Sequence, residues 1–171
     1  MEVLENLTAD SNLGQLSNEI TYRRYLMNKV NMKKMFQDLS MTDYIVMYIA
    51  AQPDKEHPLV PCKVYLEDLA EKMQIPIYKA SRIVGNLRDR GLLCWSHDGN
   101  GSDGTYVTIT EAGRSTLEKQ EKVLKEFYGK VIDKFGKEKF IRFLHMMNKL
   151  VGIMFEELDE TGGTADEDEC E

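Results

Sequence analysis

The spacing of apolar positions divides the chain into a series of helical segments interrupted by one stretch of period two. Residues 17–39 place Ile20, Leu26, Met27, Val30, Met35 and Phe36 near helical spacing, with Arg23, Arg24, Lys29, Lys33 and Lys34 between them, which predicts a first amphipathic helix. Ser40 or Thr42 can accept from the free amides of the next helix. "DYIVMYIAA" supplies that helix, mostly apolar and therefore buried, ending near Gln52. "QPDKEHPLVP" carries three of the four prolines and a charge cluster, and is expected to be a loop.

From Lys63 the pattern tightens. "VYLEDLAEKM" sets Leu66, Leu69, Ala70 and Met73 on one face of a short helix, which "QIP" breaks. "IYKASRIVGNLRDRG" then puts Ala80, Ile83, Val84 and Leu87 at i, i+3, i+4 and i+7, with Gly91 where a C-terminal cap belongs. Two helices joined by so tight a turn form a helix-turn-helix. "LLCWSH" and "TYVTIT" are β-prone runs bracketing "DGNGSDG", whose composition suits a hairpin tip, so a wing follows. Thr110 can cap a long helix carrying Leu117, Leu124, Phe127, Val131 and Phe135 and ended by Gly136. The last helix, from Lys137 to Leu158, has apolar residues on most sides, including Phe140, Leu144, Met147, Val151 and Phe155. A chain this small offers few surfaces to bury it, and a second copy would provide one.

The expected fold class is mainly α with a small β-hairpin wing: a winged helix-turn-helix flanked by N- and C-terminal dimerisation helices. The expected organisation is a flexible acidic N-terminus (1–16), an N-terminal dimerisation helix (17–39), the winged helix-turn-helix DNA-binding region (40–110), C-terminal dimerisation helices (111–158) and a disordered acidic tail (159–171).

The second helix of such a motif fits the major groove, so its outer face matters most. At about 100° per residue, Tyr78, Ser81, Arg82, Gly85 and Asn86 point away from the apolar stripe. Arg82 can grip guanine or phosphate, Asn86 matches the donor and acceptor pair of adenine, Ser81 and Tyr78 can bond phosphate, and Gly85 permits close approach. Lys79, Arg88 and Arg90 flank them as expected phosphate contacts. A purely solvated polar face is the other reading of the same residues, and the arrangement of tight turn, hairpin and surplus apolar helix favours the first.

The formal charge of −7 runs against nucleic-acid binding until its distribution is considered. Residues 156–171 hold nine acids and no base and residues 1–22 four acids and no base, leaving 22 bases against 16 acids, net +6, in residues 23–155. That permits DNA binding without requiring it.

"LEDLAEKMQIPIYKASRIVGNLRDRGLLCW" followed by "YVTITEAGR" resembles the multiple-antibiotic-resistance regulator (MarR) family, over residues 63 to about 117 in detail and over the flanking helices by layout. The resemblance implies a homodimer joined through its terminal helices, binding of a pseudo-palindromic operator in double-stranded DNA, and release by a small aromatic effector. Members of the family usually carry Asp and Arg in the wing, the arginine entering the minor groove. "SHDGNGSDGTY" has two aspartates and no Lys or Arg, so that insertion is ruled out here. His97, Asn100 and Ser102 then make weaker contacts, or the wing only packs; Arg90, near the base of the wing, could partly substitute.

Three separated cysteines, Cys62, Cys94 and Cys170, suggest neither a disulfide framework nor a zinc cage. Cys94, on a predicted strand, is read as core, and Cys62 as a small hydrophobe or a redox switch. His57, His97 and His145 lack partners at metal-ligand spacing. The ten methionines suit adaptable packing or a promiscuous apolar pocket. No phosphate-binding glycine loop, H-E-x-x-H pair or G-x-S-x-G elbow is present, so no enzyme and no cofactor are expected. No apolar run spans a bilayer and no leader is recognisable, so no membrane partner and a cytoplasmic location are expected. The expected function is a sequence-specific, ligand-responsive DNA-binding transcription regulator, a repressor. Alternatives are a winged-helix protein-interaction module and a thiol-based regulator using Cys62.

Overall fold

The first two helices are each started by a side chain that satisfies otherwise free amides. The computed structural model describes residues 7–8, 10–36, 38–52, 63–99 and 104–160. Helix α1 spans Leu13–Lys29 and is capped by Asn12, whose Oδ1 accepts from the Gln15 N–H at 3.0 Å while the Gln15 side chain accepts from the Asn12 N–H at 2.9 Å. This reciprocal box starts the helix ahead of the expected residue 17, so residues 13–16 of the expected flexible N-terminus are helical. The helix also ends well short of residue 39. Val30 leaves helical geometry, and the Asn31 side chain accepts from the Lys33 N–H at 3.1 Å to begin a separate 3-10 turn, Met32–Met35. An asparagine that bonds a neighbouring amide competes with the helical ladder, and periodicity alone does not register it. Helix α2, Met41–Ala51, starts at Ser40 rather than Thr42, in a second capping box with Asp43.

After α2 the described chain resumes at Lys63. Val64–Tyr65 form a strand, β1, where a helical start had been expected; Val64 pairs with Val107 and Tyr65 with Tyr106. Helix α3 follows as Leu66–Met73 and closes with Gln74 in the left-handed region, φ 53°. There the Gln74 N–H reaches the Glu71 carbonyl at 3.0 Å and the Ile75 N–H the Ala70 carbonyl at 3.1 Å, so the chain reverses before Pro76 opens α4, Ile77–Asp89. Helix α4 ends in a Schellman motif: Gly91 at φ 70° donates to Arg88 at 2.8 Å and Leu92 to Leu87 at 2.9 Å.

Strands β2 (Leu93–His97) and β3 (Thr105–Ile109) pair from Leu93↔Ile109 to His97↔Thr105, giving an antiparallel sheet of order β1-β3-β2. Strand alternation turns Leu93, Trp95, Val107 and Val64 toward the helices. Cys94 therefore faces outward and is exposed, which corrects its assignment to the core.

These elements enclose one core. Val46, Met47, Leu69, Ala80, Val84, Leu87 and Val107 have no exposed surface, and Leu39, Leu93 and Leu117 join them. Each large side chain removed from water contributes about 1.5–3 kcal/mol. Helix α5, Glu111–Phe135, is capped as expected by Thr110, whose Oγ1 accepts from the Gly113 N–H at 2.9 Å. A Cβ at Gly113 would lie 2.1 Å from the Leu92 carbonyl oxygen and 2.9 Å from Ile109 Cγ1, so only glycine allows this approach.

The chain divides after Gln120 into two units. The second holds the remainder of α5 and helix α6, Lys137–Glu160, separated by Gly136 at φ 94°. Phe135, Phe140 and Phe143 meet with ring centroids 6.2–6.3 Å apart. No residue of α6 is buried. It runs to Glu160, past the expected end at Leu158; the remainder of the expected tail, 161–171, lies outside the described residues, as do most of the proline-rich loop and Cys62. No helix among the described residues is long and apolar enough to cross a membrane.

Gly113→Ala gains about 1 kcal/mol of helix propensity, yet the carbonyl contact should outweigh it and leave a net loss of about 1–2 kcal/mol. Gly91→Ala, where a Cβ meets nothing within 4 Å, should cost about 1–2 kcal/mol through left-handed strain alone. Urea unfolding of both variants checks this, and a stabilised Gly113→Ala would contradict the packing described.

Candidate nucleic-acid interface

Helix α4 has one buried face, formed by Ala80, Val84 and Leu87 packed in the core, with Ile83 partly covered beside them. Its opposite face is then committed to solvent. Tyr78 is 59% exposed, Arg82 and Asn86 are exposed, and Lys79, Ser81 and Gly85 are half-buried. Arg82 makes no ion pair or hydrogen bond with any described residue. A Cβ at Gly85 would meet nothing within 4 Å, so the glycine leaves an open notch between Arg82 and Asn86. The first turn carries no acidic residue and Pro76 supplies no capping side chain; the Lys79 N–H bonds the Pro76 carbonyl at 2.9 Å, so the Ile77 and Tyr78 N–H groups are the ones without a side-chain cap.

The two arginines that follow are engaged with the protein itself. Arg88 pairs with Asp89 at 2.7 Å and lies 5.8 Å above the Trp95 ring. Arg90 donates from Nη1 to Asp43 Oδ2 at 3.3 Å and from Nη2 to the Asp38 carbonyl. Ile77 was not singled out by the helical wheel because it borders the apolar stripe. It is nevertheless 48% exposed, because it precedes the part of the helix that the core covers.

In the wing, His97 is exposed, with Nδ1 3.3 Å from Thr105 Oγ1; Asn100 and Ser102 lie outside the described residues. The Asp98 N–H donates to Gly104 at 3.0 Å, closing the hairpin. Strand β1 and the residue before it add two groups that no local pattern in the sequence marks. Tyr65 donates its hydroxyl to Asp98 Oδ2 at 3.1 Å, and Lys63 Nζ sits 4.5 Å above the Tyr106 ring. The hydrogen bond and charge of Asp98 hold the Tyr65 phenol above its ordinary value of 10.0. Because the neutral phenol is the donor, this tie is present at neutral pH and is lost only as pH rises through the raised value. A cation thus stands on the wing sheet although the hairpin tip has none.

No family model matches the chain, and no curated protein matches it in sequence. Solved structures do match in fold. A MarR family regulator from Neisseria meningitidis, NMB1585, superposes with TM-score 0.64 at 22% identity over 86% of this chain and 98% of that one. The transcriptional regulator BldR from Sulfolobus solfataricus gives 0.63 at 16% identity, over 83% and 99%. BpsR of Bordetella bronchiseptica, whose DNA binding is regulated by 6-hydroxynicotinic acid, gives 0.61 at 17%, over 80% and 98%. The fold is that of the MarR-type winged-helix regulators, and these neighbours are regulators rather than enzymes.

Replacing Asp98 with Asn should bring the Tyr65 titration, followed by ring NMR shifts, back toward its ordinary value. A phenol that stays raised in Asp98→Asn would place the cause elsewhere.

Proposed function

We propose that this chain is a sequence-specific DNA-binding transcription regulator that acts as a homodimer, represses its target and is released by a small aromatic ligand. The observation that carries the reading is the outer face of α4: an unpaired arginine, an asparagine and an open glycine notch held outward by a fully buried inner stripe. Arg82 is assigned to guanine or to phosphate, Asn86 to adenine, and Ser81 and Tyr78 to phosphate oxygens. Lys79 adds a phosphate contact from the flank, and Arg88 adds another by exchanging its exposed Asp89 partner for phosphate, while Ile77 offers an apolar contact to a thymine methyl. Lys63 on the wing sheet replaces part of the charge that the acidic hairpin lacks.

Two exposed apolar faces support the dimer. Leu13, Leu16, Ile20 and Tyr25 of α1, and Leu144, Leu150, Val151, Met154 and Leu158 of α6, are each at least 38% exposed in the isolated chain. Apolar area of this extent marks an interaction surface. Two-fold symmetry would set paired recognition helices about 34 Å apart, one turn of DNA, and so require a pseudo-palindromic operator. The ligand reading draws on the aromatic row Phe36, Tyr44 and Tyr48, with centroids 5.9 and 6.2 Å apart, and on the effector of BpsR.

Selection of duplexes from a random pool should return a two-fold related consensus. Arg82→Ala should weaken binding to it by about 1–3 kcal/mol and relax preference at one base pair. Failure to select any sequence would favour a protein-interaction module instead. Sedimentation equilibrium at micromolar concentration should give twice the chain mass, and Leu150→Glu with Met154→Glu should give the monomer. A monomeric wild type would refute the dimer.

A further inference from the structure

The exit of α4 is bonded to the protein at two separate places. On one side, Arg90 clasps the start of α2 through Asp43 Oδ2 and the Asp38 carbonyl. Asp43 Oδ2 also accepts from the Ser40 N–H at 3.0 Å, so the clasp and the cap of α2 share one oxygen. The segment that carries these groups is itself anchored. Gln120, 6% exposed, donates Nε2 to the Met35 carbonyl at 2.8 Å, and Leu39, 4% exposed, is buried in the core between the two ties. On the other side, Thr110 Oγ1 lies 2.8 and 3.0 Å from the Gly91 and Leu92 carbonyls, and Gly113 brings the first turn of α5 against the same backbone. The helix exit, the segment leading into α2 and the first ten residues of α5 are thereby linked in a closed ring.

We propose that Arg90 is a positioning residue, which sets the rotation and height of α4 by clasping its exit to α2 and does not itself grip a phosphate. The proposal rests on the reading of α4 as the DNA-reading element. Its physical basis is the guanidinium fork: two donors aimed at two fixed acceptors, one in the first turn of α2 and one in the segment leading into it, define an orientation that a single contact cannot. Turning Arg90 toward DNA would break both bonds and leave Asp43, whose side chain is only 19% exposed, without its cation. The ring also connects the long helix to the reading helix. A shift of α5 moves Met35 through Gln120 and Leu92 through Thr110, so the clasp carries the position of one helix to the other.

The test compares wild type, Arg90→Gln, Asp43→Asn and the double variant for binding to a duplex selected by the wild-type protein, across a potassium chloride series. A positioning role predicts that Arg90→Gln lowers specific affinity about tenfold, the loss of a charge-assisted bond, with the slope of log affinity against log salt unchanged. Asp43→Asn should lower it by a similar factor although it removes a negative charge, and the double variant should be no worse than either single one. A slope reduced by about one in Arg90→Gln would show a phosphate contact and overturn the proposal. Asp43→Asn binding as tightly as wild type would overturn it too. Amide exchange without DNA provides a separate readout: Tyr44, Gly91 and Leu92 should exchange about tenfold faster in both single variants. Unchanged exchange overturns the clasp whatever the DNA result. A wild type that protects these amides but selects no duplex overturns instead the reading of α4 on which the positioning role depends.

Discussion

The burial of one face of α4 is the constraint on which the rest of this structure depends. Ala80, Val84 and Leu87 lose all contact with water against α2, α3 and the sheet. Rotating the helix by a third of a turn would expose this stripe and bury Arg82 or Asn86, and an unpaired guanidinium in a core is costly enough to forbid it. The apolar stripe therefore selects which side chains face outward before any ligand is considered. The turn at Gln74 and the Schellman motif at Gly91 then fix the ends of the helix, so that its outer face is presented at a defined height as well as a defined angle.

Electrostatics around this helix is arranged unevenly. Arg82 is left unpaired at the centre of the outer face, whereas Arg88 and Arg90 are drawn onto Asp89 and Asp43. Residues of one charge, close together in sequence, thus do different work, and their surroundings decide which. The wing shows the same separation. One of its two aspartates, Asp98, accepts from the Tyr65 hydroxyl, and Lys63, just before β1, lies over the Tyr106 ring.

The helices outside the winged unit follow a different rule. Helix α6 has no buried residue, and α1 buries only Glu19, whose carboxylate pairs with Arg23 at 2.6 Å. Their apolar residues hold helical spacing without a covering surface in the single chain. The Asn12 capping box starts α1, and a partner surface would account for the composition of both helices.

The sequence by itself determined the winged helix-turn-helix, the inner stripe of α4, the glycine that ends it, the hairpin and the Thr110 cap, because each depends on residues within a turn or two of one another. It also located Tyr78, Ser81, Arg82, Gly85 and Asn86 on one face, since a helical wheel needs only the stripe as reference. It misplaced the ends of α1, where side-chain bonds from Asn12 and Asn31 override periodicity. It missed β1, because two residues acquire strand geometry only from pairing with a segment some forty positions away. Cys94 was assigned to the wrong face because the register of a short strand is set by its partner. The positions of Arg90, Lys63 and Tyr65 were decided only by tertiary structure: Asp43, Tyr106 and Asp98 are remote in sequence, and what a charged side chain does depends on which group the fold brings within hydrogen-bond reach.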